Sequence, residues 1–155
     1  MKLKAIFPAV LLVFALTARA ADKNPADYPI KLVILETHTD TNRWGVHGTG
    51  RGRINNGGQV NGIEFHYDCD EKLGVSYGGE FFAAKWKKEP DVLTVLSHGM
   101  GGDTHMNTCD LTVNVHDFIY VTRNGHLTTI PQREWAGKHP NGGEHNAEDD
   151  APPQQ

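Results

Sequence analysis

An antiparallel all-β domain, either a β-sandwich or a small β-barrel, is the fold class that this 155-residue sequence predicts. Three observations lead there. Apolar and β-branched residues come in short runs, and the clearest of them alternates with polar residues as a half-buried strand requires. Between the runs stand turn signals, Asn55-Asn56-Gly57-Gly58 and Asn124-Gly125, built from residues that tolerate positive φ. No segment of helical length and period separates the runs, so nothing supplies the crossovers of a parallel sheet.

Taken in order, residues 1–20 have the layout of a secretory signal peptide. Lys2 and Lys4 precede an apolar run over 5–16, and Ala18-Arg19-Ala20 offers small residues to a signal peptidase. The run is short for a bilayer span, so cleavage after Ala20 is expected, with no transmembrane segment in what remains. Residues 21–28, polar and carrying Pro25, are expected to form a disordered lead-in, and the all-β domain to cover 29–136. IKLVILET (30–37) reads as a strand buried on both faces or near a sheet centre. Residues 44–54 and 60–69 flank the Asn-Gly turn as a hairpin. LGVSY (73–77) and EFFAAKWKK (80–88), around Gly78-Gly79, read as a second hairpin. VLTVLS (92–97) follows the turn at 88–91, and 97–108 is a glycine-rich loop. Cys109, Leu111, Val113 and Val115 alternate with polar residues, and 118–122 pairs with 126–130 across Asn124-Gly125. Residues 131–135 suit one helical turn, while 137–155 lack apolar anchors and are expected to be disordered. The count is about eight strands, at the spacing of a sandwich or barrel.

The stretch GVHGTGRGRI tempts a reader to see a phosphate loop. A dinucleotide loop needs a helix after it, and a P-loop needs Gly-Lys-Ser/Thr; neither is present. Period 2 instead sets Gly48, Gly50 and Gly52 on one strand face, with Thr49, Arg51 and Arg53 on the other. Glycines in line let a neighbouring surface come close, such as the ring of Trp44 or Trp86.

Two cysteines, Cys69 and Cys109, in an exported chain favour one disulfide over free thiols or a metal site. RWGVHGTGRGRI, FHYDC, AKWKK, CDLTV and DFIYVTRNGHLTTI together resemble a family of small secreted bacterial all-β proteins to which no activity is assigned. The resemblance covers most of residues 28–135. It implies that the two cysteines belong together and that the domain is exported, secreted or periplasmic; it carries over no activity.

Removing Lys2, Lys4 and Arg19 with the leader leaves 12 basic against 19 acidic side chains, a formal charge of −7. That balance disfavours nucleic acid or an anionic membrane as partner. Among the remaining constellations, Trp44, Tyr77 and Trp86 with Arg51 and Arg53 are candidates for an aromatic–cationic platform facing a sugar or cell-wall polymer. Asp68, Asp70 and Glu71 around Cys69 could do acid–base chemistry but read better as a strand end meeting solvent. His98, Asp103 and His105, with Met100 and Met106, offer zinc or copper ligands without a defined spacing. The expectation is therefore a non-enzymatic binding domain without a cofactor, its partner a protein, glycan or envelope component. The alternative is a metal-binding protein or metal-dependent enzyme built on His98, Asp103 and His105.

Overall fold

The computed structural model describes residues 23–42, 45–69, 72–77, 80–98 and 106–140. The expected signal peptide and the last residues of the expected tail, from 141 onward, lie outside them. Strands β1 (Ile30–Asn42), β2 (Gly45–Asn56) and β3 (Gln59–Cys69) form an antiparallel meander, and β4 (Phe82–Lys88), β5 (Val92–His98) and β6 (Met106–His116) follow. Their spatial order is β1-β2-β3-β6-β5-β4, and β4 returns to β1. The sheet thus closes on itself, which removes its edges. Of the two expected architectures, the barrel is the one formed. Strands β7 (Phe118–Arg123) and β8 (His126–Pro131) make a separate hairpin that runs into helix α1 (Gln132–Lys138).

A barrel of six strands is narrower than one of eight, whose interior side chains already fill. Here the filling comes from alternate residues: Leu32 and Ile34 of β1, Ile63, Phe65 and Tyr67 of β3, Leu93 and Val95 of β5, Leu111 and Val113 of β6. Strand β2 contributes almost nothing at mid-length, and the reason lies across the ladder. Gly48 pairs with Tyr67 and Gly50 with Phe65. A Cβ built on Gly48 would stand 2.5 Å from the Tyr67 ring. One on Gly50 would stand 2.7 Å from Phe65 Cε2 and 2.8 Å from the Glu36 carbonyl oxygen. The rings that occupy the bare face thus belong to Phe65 and Tyr67 of β3 and not to Trp86; Trp44 lies outside the described residues.

The turns follow their chemistry. Gly57 and Gly58 both have positive φ, and the Gly58 N–H donates to Asn55 Oδ1 at 2.9 Å. Asn124 and Gly125 also have positive φ, as a two-residue hairpin turn demands. Strand β1 carries a bulge between Ile34 and Glu36. The extra residue reverses the alternation, so that Ile30, Leu32 and Ile34 face the core while Glu36 pairs with Arg51 on the outside.

Three expectations require correction. LGVSY is not a strand: β4 pairs with β1 only over Ile30, Lys31 and Leu32, and the coil at 72–77 covers the seam beyond. Ser76 satisfies both backbone groups of Ile34 there, its N–H donating to the carbonyl at 2.8 Å and its Oγ accepting from the amide at 3.0 Å. The lead-in is ordered from Lys23, because Asn24 Oδ1 caps a 3-10 turn at Pro25–Asp27 and Lys85 lies over the buried Tyr28 ring. The expected tail begins inside a helix: α1 runs to Lys138, and His139 stacks on Trp135 at 3.9 Å.

Cys69 and Cys109 are bonded, their Cα atoms 5.7 Å apart. The β3–β6 register, carried two residues beyond Tyr67 and Leu111, sets them opposite one another. The bond therefore clamps the end of a ladder that already exists.

Two stability outcomes follow. Gly50→Ala is expected to lower the urea midpoint at unchanged slope, with an overpacking cost of about 1–3 kcal/mol, while exposed Thr49→Ala leaves it nearly unchanged. Equal stability of Gly50→Ala would show that the Phe65 ring gives way freely. Replacing both cysteines by serine releases a closed loop with a sequence separation of 40; chain entropy sets the loss at up to about 4 kcal/mol, read as a lower melting temperature.

Candidate functional site

The bulge in β1 gives the outside of the β1–β2–β3 sheet a regular polar face. Glu36, His38 and Asp40 alternate along β1, and Glu64, His66 and Asp68 do so along β3. Register with β2 arranges them in three rows: Glu36–Arg51–Glu64, His38–Thr49–His66 and Asp40–His47–Asp68. Arg51 Nε donates to Glu36 Oε2 at 2.6 Å, and the guanidinium lies 5.7 Å from the centre of the Tyr120 ring. His38 Nε2 lies 3.2 Å from Glu36 Oε1, and His47 Nδ1 lies 3.2 Å from Asp68 Oδ1. Two shallow hollows of about 470 and 330 Å³ share His38, Thr49 and His66.

The β7–β8 hairpin borders this face. The Tyr120 hydroxyl donates to Glu64 Oε1 at 2.9 Å, Glu64 Oε2 lies 3.3 Å from His116 Nε2, and His116 stacks on Phe118 at 4.4 Å. Burial, followed by the bond to the Glu64 carboxylate, pushes the Tyr120 phenol up to about 12. A phenol so shifted stays neutral at physiological pH and serves as a donor, not as a base.

The described residues of the expected aromatic–cationic platform are dispersed. Arg53 is 2% exposed: its guanidinium lies 4.7 Å from the centre of the Trp135 ring, and its Nη1 donates to the Tyr120 carbonyl at 3.1 Å. It sits beneath the hairpin and α1, beside the second apolar cluster of Val60, Ile119, Val121, Ile130 and Trp135. Trp86 packs against the barrel core. Arg51 remains on the outer face, paired with Glu36. Tyr77 is open to solvent, and Trp44 lies outside the described residues. Asp103 and His105, with the side chain of His98, lie outside them too, as do Asp70 and Glu71. Among the described residues no three His, Cys, Asp or Glu side chains converge on a point that could hold a metal ion, and no helix is long and apolar enough to cross a membrane.

A second surface lies beside β4. A cleft of about 570 Å³ is lined by Pro25, Val75, Ser76, Glu80, Phe81, Phe82, Ala83 and Leu96. Phe81 on its wall is 43% exposed and neighbouring Tyr77 is 72% exposed, the two large apolar side chains left open among the described residues. Phe81 also carries Lys31 Nζ 4.8 Å from its ring centre. Sequence reasoning named one residue at each surface, Arg51 and Tyr77, but grouped them into a platform and did not see either surface as a whole. The polar face had a signal in the repeated spacing Glu-x-His-x-Asp at 36–40 and 64–68; the cleft had none, because its walls come from segments far apart in the chain.

Tyr120 gives a measurable consequence. Its folded value of about 12 lies above the ordinary 10.0, so the stability it contributes is fully present below about pH 10 and is lost as pH rises through about 12. Between those values the urea midpoint of the parent is expected to fall more steeply than that of Tyr120→Phe. Parallel profiles would mean that the phenol titrates alike in both states.

No protein-family model matches the chain, and neither a curated protein nor a solved structure matches it.

Proposed function

We propose that this chain is an exported, non-enzymatic binding domain that engages a protein or glycan of the cell envelope on the outside of its barrel. The observation that carries the reading is the exposed pair Tyr77 and Phe81 beside the cleft of about 570 Å³, where solvent would otherwise have to wet two large rings. Aromatic side chains that remain open at a concave, mostly apolar surface are the usual anchors of recognition. The barrel interior is occupied by side chains, which favours an external surface over an internal ligand cavity. Export is supported by the pattern of residues 1–20 and by the disulfide.

The test immobilises the mature protein and measures retention of solubilised envelope proteins and of purified cell-wall glycan in separate arms. The double variant Tyr77→Ala/Phe81→Ala is expected to lower retention in one arm at least tenfold, the loss usual for anchoring residues, with an unchanged urea midpoint. Retention equal to that of the parent in both arms would overturn the proposal.

A further inference from the structure

Closure removes the edges of the barrel, whereas the β7–β8 hairpin keeps its own. Asn124 and Gly125, both at positive φ, make a two-residue turn that closes on the bonded pair Arg123 and His126. Bonded and non-bonded pairs alternate from there, so Val121–Thr128 and Ile119–Ile130 are bonded across the ladder. The N–H and C=O groups of Phe118, Tyr120 and Thr122 then point off one edge, and those of Leu127 and Thr129 off the other. On the β7 side this parity has a direct check. The Tyr120 carbonyl accepts from Arg53 Nη1 at 3.1 Å, and the Phe118 carbonyl lies against Gly62, where a Cβ would collide with it. That edge is laid against the barrel. The β8 edge is not: Thr128 and Thr129 are exposed, Leu127 is half-buried, and among the described residues no strand but β7 pairs with β8.

We infer that the β8 edge takes up an extended acidic segment of a partner protein as a third strand of the hairpin sheet. An unpaired edge rich in β-branched residues is a template for one more strand, and main-chain bonds at Leu127 and Thr129 supply the affinity. Charge selects the partner. Arg123 at the turn and Arg133 just beyond Pro131 stand exposed near the two ends of the edge, and among the described residues neither meets a carboxylate. Glu134, next in the chain, is taken by Lys138. A second copy of this chain fits less well. The antiparallel register that bonds both free residues sets Leu127 against Thr129 of the copy, and carried outward it brings Arg123 toward the copy's Arg133. Like charges so placed oppose pairing, whereas carboxylates at the ends of a partner strand meet both arginines. The edge shares no residue with the cleft beside Phe81, so the inference does not rest on the function proposed for that cleft.

Fluorescence anisotropy of the mature protein with a labelled synthetic peptide that alternates valine with glutamate tests the inference, beside a control peptide carrying lysine in place of glutamate. Saturable binding of the acidic peptide is expected, and none of the basic one. Thr129→Pro deletes an outward N–H without touching a bond of the β7–β8 ladder. It should weaken binding about tenfold, the loss of one main-chain hydrogen bond, at a nearly unchanged urea midpoint. The double variant Arg123→Glu/Arg133→Glu, which leaves the backbone alone, should weaken it by at least as much, whereas Tyr77→Ala/Phe81→Ala should bind as the parent does. Absence of saturable binding, equal binding of the basic peptide, or unaltered affinity in the charge-reversed protein would each overturn the inference. So would a concentration-dependent dimer in sedimentation that Thr129→Pro dissolves, since the edge would then belong to a second copy.

Discussion

Everything in this barrel depends on two rings lying over a strand that has no side chains beneath them. With six strands, the interior has room for Phe65 and Tyr67 only because Gly48 and Gly50 leave their cross-strand positions vacant. Burying a phenylalanine side chain contributes roughly 1.5–3 kcal/mol, and close packing secures it only if no Cβ competes for the volume. The arrangement also fixes register. A one-residue slip of β2 would turn the glycines outward and bring residues such as Thr49 and Arg51 beneath the two rings, so the β2–β3 pairing is specified by volume as much as by hydrogen bonds.

That interior arrangement leaves β2 free to be wholly polar outside. Its outward residues, His47, Thr49 and Arg51, meet acids and histidines on both sides because the β1 bulge brings Glu36, His38 and Asp40 into phase with Glu64, His66 and Asp68. Without the extra residue near Leu35, the apolar residues before it and the polar residues after it would compete for the same face. The bulge thus separates a half of β1 that builds the core from a half that builds the polar surface. The short β1–β4 seam has a comparable repair in Ser76, whose amide and hydroxyl take the place of a neighbouring strand at Ile34.

The legible parts of the sequence were those governed by local rules. Turn pairs at Gly57-Gly58 and Asn124-Gly125 marked hairpins because positive φ is a local demand, and alternation in 109–116 marked β6 because period 2 is a property of one strand. The cysteines pointed to a bond from count and compartment alone, and the glycine spacing pointed to a close neighbour. What that spacing could not name was which rings arrive, since Phe65 and Tyr67 reach β2 through a register that only the whole sheet determines. LGVSY looked like a strand because its composition suits one, yet composition is silent about whether a partner backbone is present. The candidate site was less legible still. Arg51 and Arg53 share a face by parity, as expected, but parity says nothing of what covers that face, and the hairpin and α1 cover Arg53 alone.

That burial of Arg53 explains how the hairpin finds its place. The second apolar cluster is small, and contacts among Val60, Ile119, Val121 and Trp135 could be met in several orientations of a two-stranded unit. A buried guanidinium is less permissive. Desolvating it is costly unless donors meet acceptors and its face meets a ring; the Tyr120 carbonyl accepts from Nη1, and Trp135 lies against the face. Sliding the hairpin along the barrel by one residue would withdraw that carbonyl from a cation that cannot return to water. Orientation then sets the rim of the polar face, because the same placement brings the Tyr120 hydroxyl to Glu64 and its ring toward Arg51. Glycines inside the barrel fix the sheet, one arginine outside it fixes the hairpin, and the histidine-rich face lies where the consequences of both meet.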